Sequence, residues 1–148
     1  LADAVAAVLT AFRRTSLPLA GIPDTVPIRV CENGWPTGPG RGEQRQAAVL
    51  DTVVRTVAAL AGELNIDGYS LFALRDADSH AEGLFPHFGL LHDDYTPKQA
   101  FRTYRDLIEE LHVGDRPSGC GDWASSDCGG RVLENGRFGR SGGVGVAG

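Results

Sequence analysis

A carboxylate at the end of an apolar stretch, with an indole three residues on, is an arrangement that can do chemistry. The segment Val30-Cys31-Glu32-Asn33-Gly34-Trp35-Pro36-Thr37-Gly38 has that form, directly after Pro27-Ile28-Arg29. A carboxylate so placed can act as a nucleophile or a general base, and Trp35 offers a flat apolar face to a ligand ring. The plain alternative is a solvated loop acid beside a packing tryptophan. Spacing alone leaves both open.

A second group of polar residues follows the next apolar stretch, in Arg75-Asp76-Ala77-Asp78-Ser79. Arg75 and Asp76 are candidates for holding substrate hydroxyls, or for a loop network in which Arg75 pairs with a carboxylate. Asp76-Ala77-Asp78 has the outline of a metal-binding pair, but so short a pattern carries little. His80, His87 and His92 fit no zinc-ligand spacing and read as solvated loop histidines. Cys120 and Cys128 lack a second pair, so no metal site is expected. Thr37-Gly38-Pro39-Gly40-Arg41-Gly42-Glu43 has glycines without the Lys and Ser/Thr of a phosphate loop. Ser70 and Ser79 stand in no nucleophile-elbow context.

The elements that must position these residues alternate. A helix is predicted over residues 2–14, with Val5, Val8, Leu9 and Phe12 on one face. A strand follows over Pro27 to Cys31, its alternation placing Ile28, Val30 and Glu32 on one side and Arg29 and Cys31 on the other. On that outward side Cys31 reads as a small packing residue. A long helix over residues 43–63 carries the stripe Ala47, Leu50, Val53, Val54, Val57, Leu60, Ala61 and Leu64 at helical spacing. The second strand, Asp67 to Leu74, is nearly continuously apolar, as in a parallel strand buried on both faces. A last helix begins near Thr96, read as its N-cap, with Pro97 at the first position and Gln99 completing a capping box. Its buried face is Ala100, Phe101, Tyr104, Leu107, Ile108 and Leu111. Residues 112–148 are Gly-rich and aperiodic and read as a disordered tail, separate from a domain over 1–111.

The chain has 148 residues, with 14 Lys and Arg against 19 Asp and Glu and a formal net charge of −5. An acidic total without a basic cluster argues against a nucleic-acid partner. No apolar run approaches the roughly 20 residues of a membrane span. No signal peptide is visible, and the chain opens inside an amphipathic pattern, from which missing upstream sequence is expected. Three cysteines settle nothing about redox compartment. Helices alternating with strands imply βα units and a parallel sheet. Two strands make no stable sheet alone, so the chain reads as part of a larger fold.

Three stretches together, Pro27-Ile28-Arg29-Val30-Cys31-Glu32-Asn33-Gly34-Trp35-Pro36-Thr37-Gly38, Gly68-Tyr69-Ser70-Leu71-Phe72-Ala73-Leu74-Arg75-Asp76-Ala77-Asp78-Ser79 and Phe88 to Ile108, resemble the closing part of a (β/α)8 glycoside hydrolase. The clan is the retaining one whose nucleophile is a glutamate ending the seventh strand. The resemblance covers about residues 1–111 and leaves the tail out. It implies an α/β fold that is a partial TIM barrel: the last two βα units plus the preceding helix. It further implies Glu32 as nucleophile, Trp35 as a sugar-stacking residue, a carbohydrate substrate, no metal or organic cofactor, and a parent enzyme acting outside the cytoplasm. A retaining mechanism needs a second carboxyl about 5 Å away. In the clan this is a glutamate ending the fourth strand, which this sequence does not contain. The chain alone is therefore expected to be inactive. The alternative is a non-catalytic remnant, or a half-barrel module that needs the missing N-terminal part as a partner chain. Where the clan often carries a tryptophan ending the eighth strand, this sequence has Phe72-Ala73-Leu74.

Overall fold

A computed structural model describes residues 1–111. The expected tail, 112–148, lies outside the described residues. The elements run α1 (Ala2–Ala11), a π-helical turn (Phe12–Ser16), α2 (Leu17–Leu19), β1 (Ile28–Asn33), α3 (Glu43–Leu64), β2 (Ile66–Leu71), a 3-10 turn (Phe85–His87) and α4 (Gln99–Leu111). β1 and β2 pair in parallel to form a two-stranded sheet. The chain is thus a mixed α/β structure.

α3 forms because Val49, Leu50, Val53, Val54, Val57 and Leu64 recur on one face, and all of them are buried. Burying each such side chain stabilises the fold by about 1.5–3 kcal/mol. The helix ends at Asn65, which takes the left-handed conformation (φ 50°) and lets the chain turn directly into β2. Ile28, Ile66 and Tyr69 meet this helix from the sheet, and Leu90, Ala100 and Leu107 close the core from the loop and α4. Ile108, expected in the core face of α4, is 42% exposed.

α1 buries no residue fully. Val5 and Leu9 pack against the core, while Val8 is 68% exposed, so only part of the predicted face is covered. Between α1, α3 and the sheet lies an open groove of about 300 Å³, lined by Val5, Val8, Val30, Val53, Val57 and Tyr69 among others. Past α1, the π-helical turn brings Arg13 inward, to 3% exposure. Its Nε donates to Leu64 O at 2.8 Å and one terminal nitrogen to Val26 O at 2.9 Å. A cation is well placed there, because the last carbonyls of a helix lack partners and carry its negative end.

The start of α4 departs from its expected capping box. The helix begins at Gln99, not Pro97. Thr96 Oγ1 donates to Asp94 Oδ1 at 2.6 Å, so the hydroxyl serves the preceding turn. Gln99 N–H donates instead to Glu43 Oε2 at 3.0 Å, and a carboxylate from the first turn of α3 caps α4. Pro97 bridges Leu91, which keeps this stretch extended.

Candidate active site

The aim of Glu32 depends on an irregular register. Cα partners are Ile28 with Ile66, Arg29 with Gly68, Val30 with Tyr69 and Asn33 with Leu71. From Ile28 to Val30 is two steps, against three from Ile66 to Tyr69. From Val30 to Asn33 is three steps, against two from Tyr69 to Leu71. Each strand therefore carries one extra residue, in opposite halves of the pairing. Ile28 and Val30 lie on the α3 side, and so does Asn33, which borders Gln46, Val49 and Leu50 of α3. Strict alternation would have put Val30 and Glu32 on the same face. The extra residue in β1 corrects that expectation: Asn33 takes the helix side, and alternation sends its neighbour Glu32 to the open face. Shifts of this kind re-aim side chains beside functional sites.

Glu32 is exposed, and its carboxylate has no hydrogen-bond or ion-pair partner among the described residues. Cys31, expected to be a packing residue, is exposed as a free thiol because nothing described covers the open face. Next to Glu32, Asn33 is locked: Tyr69 Oη donates to its Oδ1 at 2.9 Å. Burial, with Tyr104 nearby, pushes the Tyr69 phenol well above its ordinary pKa, so it remains a donor. Gly34 follows, and a Cβ there would run into the carbonyl oxygen of Phe72 and lie 2.9 Å from a ring carbon of Phe88. Only glycine admits this approach of the two strand exits. Phe72 N–H donates to Asn33 O at 2.8 Å and completes the junction.

Trp35 is half-buried against the core, with the Arg41 guanidinium 4.7 Å from its ring centroid. Its Nε1 is buried. Its carbonyl accepts from Gln46 Nε2 at 2.9 Å, tying the loop to α3. One ring face thus meets a cation and the edge is withdrawn, which leaves less for stacking than the sequence implies.

Asp76 is 1% exposed and spent on the fold rather than offered to a ligand. Lys98 Nζ reaches both of its oxygens at 2.8 Å, Gly89 N–H donates to Oδ1 at 2.8 Å, and Ser79 Oγ donates to Oδ2 at 3.1 Å. Two histidines border the same carboxylate, His87 Nδ1 at 3.8 Å and His92 Nδ1 at 3.9 Å from Oδ2. His92 Nε2 also lies 3.3 Å from Glu43 Oε1. His87, 13% exposed, is drawn into this network rather than solvated, whereas His92 borders it at 35% exposure and His80 is exposed. Arg75 is exposed, donates to Asp93 O at 3.0 Å and sits 5.1 Å from the Tyr95 ring centroid. The structure does not bring Arg75 and Asp76 together as a pair.

The other loop acids are engaged locally. Asp78 Oδ1 accepts the N–H groups of His80 and Ala81. Asp93 accepts Ser79 N–H, which holds it below the ordinary carboxylate range, with the Ser79 hydroxyl and His80 adding to the effect. None of these contacts brings a second carboxyl to Glu32. No cluster of three His, Cys, Asp or Glu residues suited to a metal occurs among the described residues.

Sequence spacing does not single out an aromatic group at the same end of the sheet. Phe72, Phe85 and Phe88 form a cluster with centroids 5.4 Å (Phe72–Phe88), 6.1 Å (Phe85–Phe88) and 6.5 Å (Phe72–Phe85) apart. The signal available in the sequence is a pair of phenylalanines flanking Pro86-His87 in a long loop. Compared with known proteins, the chain matches no family model and no curated sequence.

Proposed function

We propose that the chain is the closing part of a retaining (β/α)8 glycoside hydrolase, with Glu32 as its nucleophile. One observation carries the reading: a carboxylate without a partner among the described residues, at the carboxyl end of a parallel strand and turned to the open face by a register shift. Barrel enzymes build their sites at that end of the strands. In this reading a Glu32 oxygen attacks the anomeric carbon, the bond to the leaving oxygen breaks, and a glycosyl ester forms. A second carboxyl, supplied by the missing part of the barrel, protonates the leaving group and later activates water.

The test uses a reagent that needs no acid. A 2,4-dinitrophenyl 2-deoxy-2-fluoroglycoside releases dinitrophenolate unaided, and Glu32 keeps the sugar. Intact mass and peptide mapping of the full chain should show one added sugar on Glu32, absent in Glu32→Gln. A well-folded chain left unlabelled by a panel of such sugars would sink the nucleophile assignment.

A second reading has its own observation. Both strands have an edge without a partner among the described residues, and the groove beside α1 is open and largely apolar. Unpaired edges of this kind invite pairing. A half-barrel module that needs a partner chain accounts for them equally well, and this reading requires no turnover by the isolated chain.

A further inference from the structure

We infer that one water molecule binds inside the protein between Trp35 Nε1 and Gln46 Oε1, and that it fastens the segment after Glu32 onto α3. The inference stands apart from whatever chemistry Glu32 performs. Trp35 Nε1 and Gln46 Oε1 are both buried without a hydrogen-bond partner among the described residues. Both residues line one small cavity between the exit of β1 and α3. About 10 Å³ of it is open to the centre of a water-sized sphere, which meets the roughly 10–15 Å³ that a single water needs and leaves no room for a larger ligand.

The two atoms are complementary, and neither is free to turn away. An indole N–H only donates and an amide oxygen only accepts, so a water between them receives one bond and gives another. Gln46 is 2% exposed, and its Nε2 donates to Trp35 O at 2.9 Å and to Gly89 O at 3.1 Å. Flipping the amide would set its oxygen against those two carbonyl oxygens, so Oε1 keeps its aim. The bond to Trp35 O also holds the tryptophan main chain beside the Gln46 amide. Arg41 meets the indole over its face, 4.7 Å from the centroid, and leaves the N–H unanswered. Asn33 lines the same cavity, and with its Oδ1 engaged by Tyr69 its amide nitrogen is the part left to donate. Apolar cavities stay dry, but a buried donor and acceptor left unmade each forfeit their hydration, and a bridging water restores it.

Such a water ties the side chain as well as the main chain. Trp35 is anchored to α3 directly at its carbonyl, and through the water at its ring edge. The polar edge of the indole is thereby committed to the interior, where an outside ligand cannot use it.

The test is water–protein NMR on the isotope-labelled 148-residue chain. The indole Hε1 of Trp35 should give cross-peaks to water of opposite sign in NOE and ROE spectra, which marks a water that stays longer than the protein tumbles. Trp35→Phe removes that resonance and so assigns it. Val49 also lines the cavity, and Val49→Ile adds a methyl for which a bound water must make way. The variant should lose the cross-peak and melt several degrees lower, because two buried polar atoms lose their partner. An assigned Hε1 with no water cross-peak, or with only the equal-sign peaks of chemical exchange, overturns the proposal. So does a Val49→Ile chain that melts higher, the gain expected when a methyl fills a dry cavity.

Discussion

Lys98 is the most consequential charge in the described structure, and Lys98→Met measures how much depends on it. The ammonium is 1% exposed and bonds both oxygens of Asp76, which is equally buried. Removing one partner of a buried pair costs about 3–5 kcal/mol, because the other charge stays buried and unpaired. Asp76 would keep two donors, Gly89 N–H and Ser79 Oγ, which places the expected loss near the lower bound, about 3 kcal/mol. That is a large share of the 5–15 kcal/mol typical of a domain. With a urea slope of about 1.5 kcal/mol per molar, the midpoint should fall by about 2 M. The double variant Lys98→Met, Asp76→Asn should lose less than the sum of the two single changes, by about 2 kcal/mol, since neither charge is then stranded. Urea titration followed by tryptophan fluorescence reads all four proteins. A single-variant loss below about 1 kcal/mol, or plain additivity, would refute the view that the pair acts as one buried unit.

Two further predictions concern the junction and the loop. Gly34→Ala drives a methyl into the fixed carbonyl of Phe72, so a loss of about 1–3 kcal/mol is expected, seen as a Tm lower by several degrees; an unchanged Tm would mean the strand exits are free to part. Asp93 and Asp94 are both held below the ordinary carboxylate range, the first by Ser79 N–H and the second by the hydroxyl and N–H of Thr96. A depressed folded-state pKa contributes stability above the ordinary value, about 3.9, and loses it as pH falls through the lower one. The amide resonances of Ser79 and Thr96 should therefore titrate with midpoints below about 3.9, and midpoints above it would contradict the bonding described.

The parts of this fold legible in the sequence are those set by local periodicity. α3 reads from its own apolar stripe, from Leu50 to Leu64, and the helical content of α4 reads from Phe101, Tyr104 and Leu107. The parts that are not legible depend on residues far along the chain. Gln99 is capped by Glu43, 56 positions away, and not by Thr96, since the carboxylate reaches the N–H and the hydroxyl is taken by Asp94. Asp76 looks like a loop acid until Lys98, 22 positions on, is seen to enclose it. His87 follows it inward, its carbonyl accepting from the same Lys98. The position of Glu32 at a strand end was readable, but its face was not. Alternation counts residues along one strand, and the shift that turns Glu32 is a property of two.

That shift has a consequence for how such a site can vary. A single extra residue in one strand would throw every later side chain onto the wrong face, because the period along a strand is two. Here the surplus in β2 between Ile66 and Tyr69 is balanced by the surplus in β1 between Val30 and Asn33. Ile28 and Ile66 at one end, and Asn33 and Leu71 at the other, therefore still face the helices as matched pairs. Gly68, buried and without a side chain, takes up part of the irregularity at no cost in packing. The core keeps its lattice while the carboxylate changes sides. Glu32 is then aimed by the sheet, and the Phe85 turn is held by the separate Asp76–Lys98 network. Changes in the long loop can move the aromatic cluster without moving the carboxylate, and changes in the strand register can turn the carboxylate while the cluster stays in place.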